Sequence, residues 1–291
     1  MIKVHIVDYA GHGWILQKIA NEVMELSYHR NLEMSRNNVP NLNANINYYI
    51  NWVIFNKEQP KSKYDIVFFT HFEDIPGEVE ILNRADMIVA MSEHGKKLIE
   101  DKGIKTKVHI LRGFGTNVTI RKKIKIGFSG RFYDSGRKGE QDILKLVGSL
   151  NKDIFQFIFH DTSDDEYRTK NERLVNQIGA KTIYKDINKF FSSIDYFLQA
   201  STAEGGSMDI LNAIYVGVPI ISRSIGFMYN MATDDDFIYN DIDEVINFFK
   251  LIEKAKLDKF EKIANYTWEN FRKEHLWLFH KLMPEEEKFY V

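Results

Sequence analysis

Two short stretches of this chain place cations, glycines and one carboxylate where strands give way to helices. In GFSGRFYDSGRKG (Gly127 to Gly139), Arg131 and Lys138 stand between a strand-like run and a helical one, with Gly130 in the turn. In STAEGGSMDILNAIYVGVPIISRS (Ser201 to Ser224), Glu204, Gly205 and Gly206 make a turn that no side chain obstructs. Ser207 is then placed to cap a helix whose Ile210, Leu211 and Ile214 fall at helical spacing. Gly217 suits a left-handed C-terminal cap, Pro219 forbids continuation, and Ile220 and Ile221 begin a short buried strand. A helix start carries unpaired backbone N–H groups and partial positive charge, so it favours anions, phosphates above all. Taken singly, each motif is no more than a tight turn beside surface cations. Together, two cations and two helix starts suit a diphosphate better than a lone carboxylate.

The first third of the chain offers less specific chemistry. Strand Ile2 to Val7 runs into YAGHGW, whose Gly11 and Gly13 lie at a strand's carboxyl end, where α/β proteins bind ligands. The fuller dinucleotide fingerprint is absent, because Leu16 occupies the place of its third glycine. His71 follows the strand Tyr64 to Thr70 and precedes Phe72, Glu73 and Asp74; a lone histidine there is more often structural than catalytic. The acidic runs Asp164 to Glu166 and Asp234 to Asp236 read as solvated loops, and no metal site is expected.

The elements that must position these groups alternate. Apolar strands near residues 64–70, 87–91, 107–111, 124–128, 155–159, 182–184, 196–199 and 238–239 are separated by helical segments, which means parallel sheets in an α/β protein. The asparagine-rich stretch from Arg36 to Asn51 reads as a surface loop entering a short helix. Helices are expected over Asp243 to Lys254 and Asp258 to Met283. The pattern breaks near Gly113, giving an N-terminal domain over 1–114 and a second over 115–265.

Composition bounds the functional classes. A chain of 291 residues can hold two full cores, and a net charge of -2 argues against a strongly basic nucleic-acid or membrane binder. Without cysteine there is no disulfide framework, thiolate zinc site or cysteine nucleophile, which suits a reducing compartment. The first residues lack the features of a signal peptide, and no apolar run reaches spanning length, so a cytoplasmic protein is expected.

The second half resembles the nucleotide-sugar-binding half of retaining glycosyltransferases of family 4. Gly130-Arg131 followed by Lys138-Gly139 is similar to that family's GR…KG element, and Glu204-Gly205-Gly206 through Gly217-Val218-Pro219 resembles its EG…GVP element. Residues 81–104 and 266–275 resemble the end of the family's first domain and its terminal helix, which implies that a helix over about 266–291 packs back on the first domain. The resemblance implies the GT-B fold, two Rossmann-like doubly wound domains facing across a cleft. It implies that Arg131 and Lys138 neutralise the diphosphate of a UDP- or GDP-linked sugar. It gives Glu204 the sugar hydroxyls, and the amides of Gly205, Gly206 and Ser207 the sugar and phosphate. Gly11, Gly13 and, more loosely, His71 correspond to first-domain site residues. The family's second glutamate, a ribose ligand, is replaced by Asn212, with Asp209 one turn earlier as a substitute.

The implied reaction is metal-independent transfer of a glycosyl group to an acceptor hydroxyl with retention of configuration. Prepositioned cations and helix dipoles would stabilise the leaving diphosphate. The implied acceptor is a glycan or lipid, with peripheral membrane contact among relatives; a nucleic-acid acceptor finds no support in the charge. The chain is shorter than typical members. Two rival readings remain open: a nucleotide-sugar epimerase of the same fold, and a non-catalytic binding subunit, the latter motivated by Asn212.

Overall fold

The structure, a computed structural model, describes every residue except 9–13, 57–59, 113, 117–120, 134, 162–164, 185 and 284–291. The chain divides into two compact units, Met1–Thr119 with Lys262–Val291, and Ile120–Glu261.

The first unit is built on β1 (Ile2–Val7), α1 (Trp14–Met24), β2 (Leu32–Asn37), β3 (Ile46–Tyr49), β4 (Tyr64–Phe69), α2 (Glu78–Asn83), β5 (Met87–Ala90), α3 (Glu93–Asp101) and β6 (Val108–Ile110). Its six strands lie in the order β2-β1-β3-β4-β5-β6, each pair parallel. The asparagine-rich stretch corrects the loop-and-helix expectation, since it holds the end of β2 and all of β3, the latter fully buried. Asparagine signals a turn because its side chain mimics backbone hydrogen bonding. Here that capacity closes the β2–β3 connection: Asn47 Oδ1 accepts from Asn41 N–H at 2.9 Å, and Asn45 Oδ1 accepts from Lys3 N–H at 2.8 Å.

The second unit holds β7 (Ile124–Ser129), α4 (Glu140–Ser149), β8 (Phe155–Asp161), α5 (Asp165–Ile178), β9 (Lys181–Tyr184), α6 (Ile187–Phe191) and β10 (Tyr196–Gln199). It continues through α7 (Met208–Val216), β11 (Ile220–Ser222), α8 (Met228–Met231), β12 (Phe237–Ile238) and α9 (Ile242–Lys262). The all-parallel sheet runs β12-β11-β10-β7-β8-β9. Counted within the unit this is the 3-2-1-4-5-6 order of nucleotide-binding doubly wound sheets, and the order reverses between β7 and β10. Alternate residues serve opposite faces, as the strand period requires. Phe128, Phe157, Phe159 and Leu198 pack with Ile143, Leu146 and Phe249 of α4 and α9. Ile158, Phe197 and Ile220 pack with Phe190, Ile210 and Ala213 of α6 and α7.

Helix α9 runs unbroken through the expected gap near residue 256, because Ala255, Lys256 and Leu257 are strong helix formers with no glycine or proline among them. The break falls later, at Thr267, whose side chain accepts from Asn270 N–H and starts α10 (Trp268–Leu282). Phe271, Leu278 and Phe279 of α10 join Val4, Ile6, Tyr48 and Phe68 in the core of the first unit.

Candidate functional site

In an open parallel sheet, ligands bind outside the carboxyl ends of the strands where the order reverses. Those ends here are Ser129 of β7 and Gln199 of β10, and each leads directly into one of the two stretches singled out by residue type. Gly139 joins them. It starts α4 at φ 75°, and a Cβ on it would lie 2.3 Å from Ala200 O, just past β10. Only glycine meets both demands, so the loop before α4 lies against the end of β10. Thr202 N–H then donates to Arg137 O at 2.9 Å, tying the two stretches by backbone. Arg223, after β11, supports the same point by donating to Ala200 O and to Asp142 Oδ2, each at 2.9 Å.

This packing brings Lys138 and Glu204 together. Lys138 Nζ donates to Glu204 Oε1 at 2.5 Å. Arg137 Nη1 lies 3.6 Å from the same oxygen and donates to Ala203 O at 2.9 Å, with its guanidinium 5.2 Å from the Tyr133 ring. Burial pushes the Glu204 carboxyl up, but the Lys138 hydrogen bond and the charges of Lys138 and Arg137 outweigh it and hold the group below its ordinary value. Glu204 is therefore ionised at neutral pH.

The start of α7 is only partly as expected. Ser207 occupies the N-cap position, but its side chain makes no capping bond, and Gly217 closes the helix at φ 76°. Asp209, in the first turn, instead accepts from Ser129 Oγ at 2.5 Å, fastening the helix start to the end of β7. Asn212 is half-buried in the next turn. A Cβ on Gly206 would come within 3.0 Å of the Phe227 ring, so that glycine serves the fold. Gly205 differs: it is not among the positive-φ glycines, and a Cβ there would meet nothing within 4 Å. Beside it opens a depression of about 600 Å³ lined by Glu204, Gly205, Ser224, Ile225, Gly226 and Tyr229.

Arg131 is exposed, directly after Gly130, and the side chain of Lys138 runs past Gly130. His71 lies in the first unit, largely exposed, with Nε2 2.8 Å from Glu73 Oε1 and its carbonyl accepting from Trp52 Nε1 at 2.7 Å. Gly11 and Gly13 lie outside the described residues. Among the described residues no three of His, Asp and Glu gather as a metal site, and no helix is long and apolar enough to cross a membrane. Asp236 is engaged within the fold, accepting from Ile220 N–H at the start of β11 at 2.8 Å and from Thr233 N–H in its own loop at 2.9 Å. Arg137, Arg223 and the buried Asn171 were not legible as site residues, although Arg137 and Arg223 sit inside the two stretches that flagged the region; Asp209 was read as a substitute for the ribose ligand, and here it bonds Ser129.

Cations, a carboxylate and an unobstructed glycine thus stand at the reversal point of this doubly wound sheet, the place where open parallel sheets bind ligands. The model of the family Glycosyl transferases group 1 matches residues 115–273, more than half of the chain, and the chain belongs to that family. Protein CapJ of Staphylococcus aureus is 27% identical over 169 residues, which are 55% of this chain and 42% of CapJ, so the alignment spans less than half of that relative. Among solved structures, Anabaena HepE in complex with UDP and glucose aligns with 97% of this chain and 100% of its own at 10% identity, TM-score 0.37. A glycosyltransferase from Rickettsia africae aligns over 98% and 99% at 12% identity, TM-score 0.39. Sucrose-phosphate synthase of Thermosynechococcus elongatus aligns over 97% and 99% at 11% identity, TM-score 0.38. At these scores the structural likeness carries no argument; the family match does. The fold class is α/β, two units each built on a doubly wound parallel sheet.

Proposed function

We propose that this protein transfers a glycosyl group from a UDP- or GDP-linked donor to a hydroxyl of a glycan or lipid acceptor, with retention of configuration and without a metal. The observation that carries the reading is Gly205. No backbone angle and no neighbour within 4 Å demands glycine there, yet it stands beside the Lys138–Glu204 pair at the sheet's reversal point. A glycine that the fold does not need leaves room for something the fold does not contain.

In this reading the donor diphosphate lies across the starts of α4 and α7. Lys138 and Arg131 offset the negative charge that grows on the leaving diphosphate as the sugar–phosphate bond breaks. The backbone N–H groups after Glu204 meet phosphate and sugar, and Glu204 accepts from sugar hydroxyls. Lys138 must therefore exchange part of its bond to Glu204 for the phosphate when the donor enters. Asn212 supplies an uncharged acceptor where the resembled family has a ribose-binding glutamate. Asp209 is already bonded to Ser129 and holds the helix start instead.

The test is a panel of nucleotide-sugars offered with glycan and lipid acceptors, reading nucleoside diphosphate release by mass spectrometry. Release from a UDP- or GDP-sugar that depends on acceptor supports transfer. Donor turnover without any acceptor points to the epimerase reading. Nucleotide binding with no turnover points to a binding subunit, the reading that Asn212 favours.

A further inference from the structure

Asn171 lies on α5, wholly buried, and its amide reaches the loop that leaves β7. Its Oδ1 accepts a hydrogen bond from Phe132 N–H at 3.1 Å, and its Nδ2 donates to Gly130 O at 3.3 Å. Gly130 and Phe132 are the neighbours of Arg131, so one side chain brackets the backbone of that arginine. Nδ2 also donates to Asp161 Oδ1, at the carboxyl end of β8, at 2.7 Å. A carboxylate only accepts, so Asp161 fixes which end of the amide faces it and leaves Oδ1 for Phe132. Phe132, 4% exposed, stacks on Phe159 with ring centroids 5.3 Å apart, which anchors the loop immediately after Arg131.

Burying an amide and a carboxylate beside an aromatic core is unfavourable unless each finds partners, and an apolar pair would fill the space at less cost. What the polar pair adds is a defined path for the loop. A cation whose backbone is already fixed loses less conformational freedom on meeting an anion. We infer that Asn171, oriented by Asp161, is the positioning residue for Arg131 and sets the backbone from which that cation meets the donor diphosphate. The inference rests on the donor-site reading above.

A double-mutant cycle tests it, with titration of UDP and of GDP as the readout and thermal unfolding as the control for folding. Arg131→Ala is expected to weaken binding about tenfold in the otherwise native protein and less than about twofold in an Asn171→Leu background, because contacts that act as one unit are not additive. Lys138→Ala should keep its full effect in both backgrounds, a distinction that general loosening of the fold would not produce. Full additivity between positions 171 and 131 overturns the inference. A second arm stands without Asn171→Leu: Asn171→Asp alone sets two carboxylates face to face and leaves Gly130 O without its donor, and should weaken binding about tenfold; adding Asp161→Asn removes the repulsion and restores the bond within the pair but not the one to Gly130, so affinity is recovered only in part. Native-like affinity in a folded Asn171→Asp overturns it too. Should Arg131→Ala and Lys138→Ala both leave the titrations unchanged, the donor-site reading fails and takes the inference with it. Loss in both with an additive cycle removes the inference alone.

Discussion

Lys138 Nζ lies 2.5 Å from Glu204 Oε1, so the cation proposed for the diphosphate and the carboxylate proposed for the sugar neutralise each other before either meets a donor. The pair is mostly buried, with side chains 16% and 12% exposed, and Arg137 adds a second positive charge to the same oxygen. Donor binding is thus a competition for Lys138. Glu204→Gln relieves that competition and should tighten UDP or GDP binding severalfold, while transfer falls about a hundredfold because the sugar loses a charged acceptor. Lys138→Ala should weaken binding and transfer together. Isothermal titration beside initial rates separates the two, and weaker nucleotide binding in Glu204→Gln would contradict the competition.

The same pair has an acid limit. Glu204 is held below its ordinary value of 4.5, so the stability it contributes is fully present above that pH and is lost as pH falls through the lower folded value. Denaturant unfolding between pH 6 and pH 3, native against Glu204→Gln, should show the native protein losing more stability across the acid end of that range. Parallel curves would mean that the ion pair adds nothing.

Two glycines on the loops that follow the neighbouring strands β7 and β10 should respond oppositely to a single methyl group. Gly139→Ala sets a Cβ 2.3 Å from Ala200 O at φ 75°, and should cost about 2–4 kcal/mol of stability. Gly205→Ala meets open space, and should leave stability within about 0.5 kcal/mol while weakening nucleotide or donor binding. Chemical denaturation and titration on both variants decide the matter. Unchanged donor binding in Gly205→Ala would remove the observation on which the functional proposal rests.

His275 supplies a pH dependence in the other unit. It is wholly buried, with Nε2 3.0 Å from Tyr48 OH and Nδ1 2.9 Å from Phe271 O, and burial pushes it down to about 4 from 6.5. The unfolded chain therefore binds more protons between those values, and folding stability rises with pH across that window. Roughly 3 kcal/mol of stability is therefore lost between pH 7 and pH 4. His275→Leu should be less stable at pH 7, because the Tyr48 hydroxyl is left unpaired, yet should show a flatter slope below it. An unchanged slope would mean that His275 is protonated in the folded protein.

Much of the fold was legible because strands buried in parallel sheets are apolar runs, and helices between them repeat at their own period. Ile124 to Phe128, Tyr196 to Gln199 and the Gly217 cap all read directly from residue type. Strand β3 did not, because Asn45 just before it and Asn47 within it carry turn chemistry while the strand itself is buried. The site divides similarly. Lys138 and Glu204 are visible as charges beside glycines, but their direct contact depends on Gly139 lying against Ala200, a meeting of segments about 60 residues apart. Asn171 was beyond reach, since an asparagine inside a charged helix gives no sign of the loop it will hold. Ser207 marks the opposite case: residue and position fit a helix cap, and the side chain does not make the bond.

The most direct test of the central claim, that a nucleoside diphosphate seats at the carboxyl ends of β7 and β10, is amide hydrogen exchange with and without saturating UDP or GDP. Predicted is slowed exchange in two separate segments, residues 129–140 and 201–210, with little change along α9. Protection confined to other segments, or none with either nucleotide, would contradict it.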